Sequence, residues 1–249
     1  MQPREDLSRA GERGARLVTG SGVGTDTATA LLDALGSEGV RTGAAAAEYR
    51  LGDAEPAVVA LPRDEEGVSR VLALAWESGL AVVPWGGGAH QTVGRPPTRY
   101  DVALDLRRLN GIVAYEPADM TATVQAGIRL ADLHTRLGDA GQFWPLDPSL
   151  ADRATVGGVV AADLNGPLRC RYGTVRDLVL GVRVAHADGT VTKAGARVVK
   201  NATAYNLTRL YAGSHGTLGV LLEATLRLQP RPAVEEGWWL AGGTVETCH

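Results

Sequence analysis

The sequence predicts an α+β protein made of two α/β lobes. Three observations carry that prediction: a strand–helix–strand unit over residues 57–84, hairpin-like strands further on, and glycine loops between them. In order along the chain, residues 1–15 are polar and unpatterned. Thr27–Gly36 is expected to form a short helix with Leu31, Leu32 and Leu35 on one face. Ala57–Leu61 reads as a strand, Asp64–Glu77 as a helix and Leu80–Pro84 as a second strand. The helix rests on Val68, Val71, Leu72 and Ala75, spaced for one buried face. Asp64, Glu65 and Glu66 open it, where the helix dipole favours acid. Such a crossover packs right-handed.

Asp101–Leu106 is a further strand, and Asn110–Gly111 marks a turn. Met120–Ala126 alternates Ala122, Val124 and Ala126 against Thr121, Thr123 and Gln125, the pattern of a half-buried strand. Ile128–Leu137 is a helix with Leu130, Leu133 and Leu137 together. Val175–Ala187 reads as one long strand, turning at Asp188–Gly189 into Thr190–Lys193. Gly219–Leu228 is the last strand, stopped by Pro230 and Pro232. The expected layout is an extension over 1–50, a main domain over 51–232 with lobes of about 51–110 and 111–232, and a tail over 233–249. No internal repeat is visible.

Composition narrows the classes of function. The 249 residues are 45% hydrophobic and 21% charged, with net charge −3. That balance gives no electrostatic case for nucleic acid or an acidic membrane. Two cysteines, Cys170 and Cys248, cannot make a disulfide framework or a structural zinc site. No signal peptide is visible and no apolar run approaches a membrane span, so a cytoplasmic location is expected. The five histidines include no pair at helical ligand spacing, so no metal site is expected. His134 reads as a surface or half-buried helix residue, His215 as a loop histidine and Cys170 as a plain strand cysteine.

Glycine is the informative excess, and its 32 copies are clustered. The sharpest cluster is Trp85-Gly86-Gly87-Gly88-Ala89-His90-Gln91, at the carboxyl end of a βαβ strand. Consecutive glycines can turn several backbone N–H groups toward one anion. Ligands of open α/β sheets also sit at that end of the strands. A plain tight turn is the alternative for this loop alone. Further clusters occur at Gly157-Gly158, Asn165-Gly166, Arg171-Tyr172-Gly173 and Gly213–Gly219. Together they suggest an extended ligand with several polar groups, such as a dinucleotide. Gly20-Ser21-Gly22-Val23-Gly24 imitates a nicotinamide fingerprint, but its third glycine and later acid are missing.

In this order the stretches VPWGGGAHQTVG, WPLDPSLADRATVGG, GPLRCRYGTVRDLVLGVRVAHADGT, VVKNATAYNLTRL and GSHGTLGVLLEATLRLQPRP resemble a known family. It is the FAD-binding domain of the p-cresol methylhydroxylase and vanillyl-alcohol oxidase superfamily, and within it the FAD subunits of bacterial glycolate oxidase. The resemblance implies FAD as cofactor. It implies that Trp85, Gly86, Gly87, Gly88, Ala89, His90 and Gln91 wrap the diphosphate, with Gly94 closing the loop. Asp147, Pro148, Thr155, Gly157 and Gly158 would line the ribityl and diphosphate side. Asp163, Gly166, Tyr172 and Gly173 would follow past the flavin, and Gly219 and Val220 would touch it through backbone. Trp85 and Asp163 stand where relatives usually carry Arg and Asn; an acid at 163 would repel a diphosphate unless protonated or turned away. Relatives that bind FAD covalently place His where Ala89 stands, so noncovalent FAD is expected.

The resemblance further implies an oxidoreductase or redox subunit taking hydride from a 2-hydroxy acid or another alcohol. No full cap domain is expected, since AVEEGWWLAGGTVETCH is too short to fold as one. Trp238 and Trp239 in that tail suggest a docking patch or a last core strand, and partner subunits are expected. Catalytic residues stay unassigned, because the family draws them from the cap. The alternative is a catalytically silent FAD-fold subunit with a structural role in a complex.

Overall fold

A computed structural model of the chain describes residues 25–195 and 207–236. The glycine run at 20–24, the Ala204-Tyr205-Asn206 motif and Trp238-Trp239 lie outside the described residues.

The first sheet grows from helix α1 (Thr25–Leu35), strand β1 (Val40–Arg41), strand β2 (Val58–Ala60), helix α2 (Glu65–Glu77), strand β3 (Val82–Trp85) and strand β4 (Val102–Asp105). Its order is β1-β2-β4-β3, with β2 and β3 both parallel to β4 and β1 antiparallel at the edge. Residues 86–101 connect β3 to β4 and carry the glycine run. Helix α2 starts where expected. Asp64 caps it by accepting from the Gly67 N–H at 2.8 Å, and Val68, Val71, Leu72 and Ala75 are buried. Both faces of the sheet are covered, as parallel sheets require. Val58, Ala60, Val102 and Leu104 face α2, while Val59 and Ala103 face Tyr49, Trp85 and Tyr100.

The second lobe uses strand β5 (Ile112–Glu116), strand β6 (Thr121–Gln125), then helix α3 (Leu130–Gly138), strand β7 (Gln142–Phe143), helix α4 (Val156–Ala162), and the helical turns α5 (Arg169–Tyr172) and α6 (Val175–Leu178). Strand β8 (Val179–Ala185), strand β9 (Val191–Gly195), turn α7 (Thr208–Tyr211), strand β10 (Val220–Arg227) and strand β11 (Gln229–Pro230) complete it. The five-stranded order is β5-β6-β10-β8-β9, antiparallel throughout. Leu130, Leu133 and Leu137 of α3 pack with Trp144, Val156, Val159 and the inner residues of β6, β8 and β10.

Four sequence expectations are corrected. Val175–Leu178 is helical, because the Asp177 carboxylate accepts from the Thr174 N–H at 3.0 Å and hydroxyl at 2.8 Å and closes a turn. Cys170 sits exposed on the turn Arg169–Tyr172 rather than in a strand. Strand β6 is buried on both faces, and Thr123 and Thr225 satisfy each other across the ladder at 3.0 Å. β10 ends at Arg227, and Pro230, expected only to stop the strand, lies in the short pair of β11 with β7, at an edge position that needs no N–H.

The lobes share a core. Ala185, Val220 and Leu222 of the second sheet pack with Val68, Leu72, Val102 and Leu104 of the first. Arg183 of β8 donates from Nε to Glu65 of α2 at 3.0 Å across the same seam.

Candidate functional site

A cleft opens between the lobes at the carboxyl end of β3. The loop 86–91 forms one wall, and the other is built from residues 154–162 and 215–221. The loop is fixed at both ends. Trp85 turns its ring into the small core behind the first sheet, donating from Nε1 to the Tyr100 hydroxyl at 2.6 Å and meeting the Tyr49 ring edge-on at 5.0 Å. Gln91 donates from Nε2 to the Pro84 carbonyl at 2.8 Å, tying the loop back to its strand.

That anchor is a buried polar chain. Tyr49 donates to Asp105 at 2.6 Å, and Arg107 forks onto the same carboxylate through Nε and Nη2. Burial, with the Asp105 carboxylate adding, pushes the Tyr49 hydroxyl up to about 12. Burial raises the Tyr100 hydroxyl as well. Both phenols therefore stay protonated and serve as donors near neutral pH.

The middle of the loop lies flat on the second lobe. A Cβ at Gly87 would stand 1.6 Å from the Arg153 carbonyl oxygen, so only glycine permits this approach. The main-chain N–H groups of Gly86, Gly87, Gly88, Ala89 and His90 donate to no other described residue. They are half-buried donors beside a cleft, which is the arrangement an anion requires. No Asp, Glu, Lys or Arg lines the cleft among the described residues. Its titratable groups are His90 and His215. His90 lies 3.1 Å from the Ser149 hydroxyl, and burial lowers its pKa.

The opposite wall is equally constrained. Thr155 caps α4 by accepting from the Gly158 N–H at 3.3 Å. The loop before β10 docks on the far end of α4, with Gly213 and His215 donating to the carbonyls of Val160 and Ala161 at 3.1 and 2.8 Å. Gly219 then has φ +147° and packs on Val184, a conformation closed to other residues.

Of the residues expected at the site, Trp85, Gly86, Gly87, Ala89, His90, Gln91, Thr155, Gly157, Gly158, Gly219 and Val220 line this cleft. The others stand elsewhere. Gly88 packs against the Trp85 ring, and Gly94 is exposed on the descending loop. Asp147 accepts from the Leu168 N–H at 3.2 Å, with Pro148 beside it and Gly166 pressed against its main chain. Asp163 ends α4 in a left-handed conformation, φ 50°, with its carboxylate 3.1 Å from Arg176 Nε. The acid is thus paired and is not on the cleft wall. Tyr172 meets Phe143 edge-on at 5.6 Å, and Gly173 turns the chain into α6. Leu106, Ala126, Ala161 and Ala162 also line the cleft. Sequence reasoning passed over them because small apolar residues carry no motif.

The chain matches the FAD binding domain family over residues 56–195. It is 34% identical to glycolate oxidase subunit GlcD of Bacillus subtilis, over 73% of this chain and 38% of that protein. It is 40% identical to glycolate oxidase subunit GlcE of Escherichia coli, over 59% of this chain and 42% of that one. The mitochondrial D-lactate dehydrogenase [cytochrome] of Arabidopsis thaliana is 40% identical over 71% of this chain and 31% of its own. The chain therefore spans well under half the length of these relatives. In fold it superposes on an alkyldihydroxyacetonephosphate synthase with TM-score 0.75 at 23% identity, covering 85% of this chain and 41% of the other. No described helix is long and apolar enough to cross a membrane.

Proposed function

Because the chain belongs to the FAD binding domain family, we propose that it holds FAD noncovalently between its lobes and serves an oxidoreductase acting on a 2-hydroxy acid or another alcohol. The carrying observation is the set of loop N–H groups of Gly86, Gly87, Ala89 and His90, which have no acceptor among the described residues and border the cleft. The residues fit this cofactor on a second count. A wall of Gly157, Gly158, Ala161 and Ala162 leaves room for a ring system against backbone.

When bound, FAD supplies a hydride acceptor that no side chain can replace. The chain's own residues hold and shape the site. The 86–90 amides would hold the diphosphate, Trp85 and Gln91 fix that loop at both ends, and Gly219 would let the β10 entry pass close to the cofactor. By the family resemblance, Ala89 stands where covalently attaching relatives carry histidine, which supports noncovalent binding. The lobes are proposed as about 51–110 and 111–232, flanked by 1–50, whose α1 and β1 join the first sheet and its core, and by 233–249. The substrate class rests on relatives named for glycolate and D-lactate. Because the chain spans only part of them, further domains or partner subunits are proposed to supply substrate contacts.

The test is the visible spectrum of the purified chain incubated with FAD, repeated on the supernatant after acid precipitation. Flavin bands that pass into the supernatant are expected. Anaerobic addition of glycolate or D-lactate, with partner chains present, should then bleach the visible flavin band. Absence of bound flavin sinks the cofactor reading, and flavin that stays with the pellet sinks noncovalent binding.

A further inference from the structure

The cleft offers an anionic diphosphate backbone donors but, among the described residues, no full positive charge. Its described lining contains no Lys or Arg, although diphosphate recognition gains most from charge-assisted donors. One cation nevertheless lies on the loop itself. Arg153 runs beneath it: the Arg153 main-chain oxygen abuts Gly87, and its guanidinium reaches back to donate from Nη2 to the Gly88 carbonyl at 3.4 Å. It comes from the opposite lobe, 65 residues away, and directly precedes Ala154 and Thr155 of the far wall. No carboxylate of the described residues pairs with it, unlike Arg107, Arg176 and Arg183. A guanidinium has five donors, and a single long bond to a neutral carbonyl leaves most of them unused.

Resting on the reading that the cleft takes FAD, we infer that Arg153 is the diphosphate-binding cation of this site, bridging the lobes across the bound anion. The 86–90 amides set the position of the phosphates, and Arg153 supplies the charge. The residue is exposed, so a small swing from the Gly88 carbonyl toward a phosphate oxygen costs little beyond side-chain entropy.

The test compares the whole chain with R153Q and R153K variants. FAD affinity is measured by fluorescence titration at low and high salt, with melting temperature in the absence of FAD as a check on folding. Wild type is expected to bind FAD with a clear salt dependence. R153Q should weaken FAD binding by about tenfold or more, the scale of a lost charge-assisted contact, and flatten the salt dependence, while leaving the FAD-free melt unchanged. R153K should keep the salt dependence and recover part of the affinity. Unchanged FAD affinity in R153Q overturns the inference. So does a weakened affinity with the wild-type salt dependence intact, which is what a merely structural contact would produce. Failure of wild type itself to bind FAD is a different result: it removes the cofactor reading of the cleft and this assignment together.

Discussion

A methyl group at position 87 would lie 1.6 Å from the Arg153 oxygen, and no rotamer can relieve a contact with backbone. Gly87→Ala must push the loop away from residues 153–155, at about 1–3 kcal/mol of overpacking. The expected outcome is a modestly lower melting temperature and a large loss of retained flavin, read as visible absorbance per protein. Full flavin occupancy in G87A would show that the seating of the loop does not matter. His134 carries a second prediction at this scale. Its Nε2 lies 2.8 Å from the Trp144 carbonyl. Burial lowers its pKa below the ordinary 6.5, the Trp144 bond opposes that, and Arg231 adds to it. The unfolded chain therefore takes up this proton first as pH falls. Stability is full above about 6.5 and is lost as pH drops through the folded value. Glutamine at 134 keeps a donor for Trp144 but does not titrate, so the melting temperature of H134Q should fall less than wild type's on acidification from neutral pH. Parallel curves would mean that the group is not the acid-sensitive one. The loop at 86–88 shows how far residue types reveal a cleft. The glycines at 86–88 are visible in the sequence because they are consecutive. Arg153 is not, because its meaning lies in a contact with Gly88 that only the folded seam creates.

Elements follow the same division between local and tertiary signals. Helix α2 is legible because four apolar residues repeat on one face and a capping acid precedes them. Removing that cap in Asp64→Ala should cost about 1 kcal/mol, measured as a shift in urea midpoint with an unchanged slope. A loss under a few tenths would mean that packing alone holds the first turn. Turn α6 was misread because Val175, Leu178 and the following valines look like one apolar run. The contrary signal was present in Thr174 and Asp177, three residues apart, which is the spacing of a capping box. Strand β6 shows a tertiary override. Its threonines alternate as a solvent face should, yet the second face is buried, and Thr123 is satisfied only by Thr225 from β10. Helix α4 is the least legible element, since five of its seven residues are Val or Gly, which have low helix propensity. Its ends are held from outside the run, by Thr155 at the start and by the Gly213 and His215 amides at the finish.

At the scale of the molecule, the two lobes behave as halves of one core rather than beads on a string. Leu222 belongs to a strand of the second sheet, is 1% exposed, and packs among Val68, Leu72 and Leu104 of the first. The Arg183–Glu65 pair crosses the same seam but is only half-buried, so its share of the coupling is small. The apolar contact should dominate. The cleft depends on this seam, because one wall comes from each lobe. Leu222→Ala removes a large buried side chain and should cost about 2–5 kcal/mol. If the core is shared, far-UV circular dichroism and hydrogen exchange in β4 and β8 should report one transition that moves as a whole. FAD should restore part of the loss by binding only the assembled cleft, about 2.7 kcal/mol at a concentration a hundred times its dissociation constant. Separate transitions for β4 and β8 in L222A, with FAD raising only one of them, would mean that the lobes fold independently. The cleft would then be closed by the cofactor instead of being built in advance by the protein.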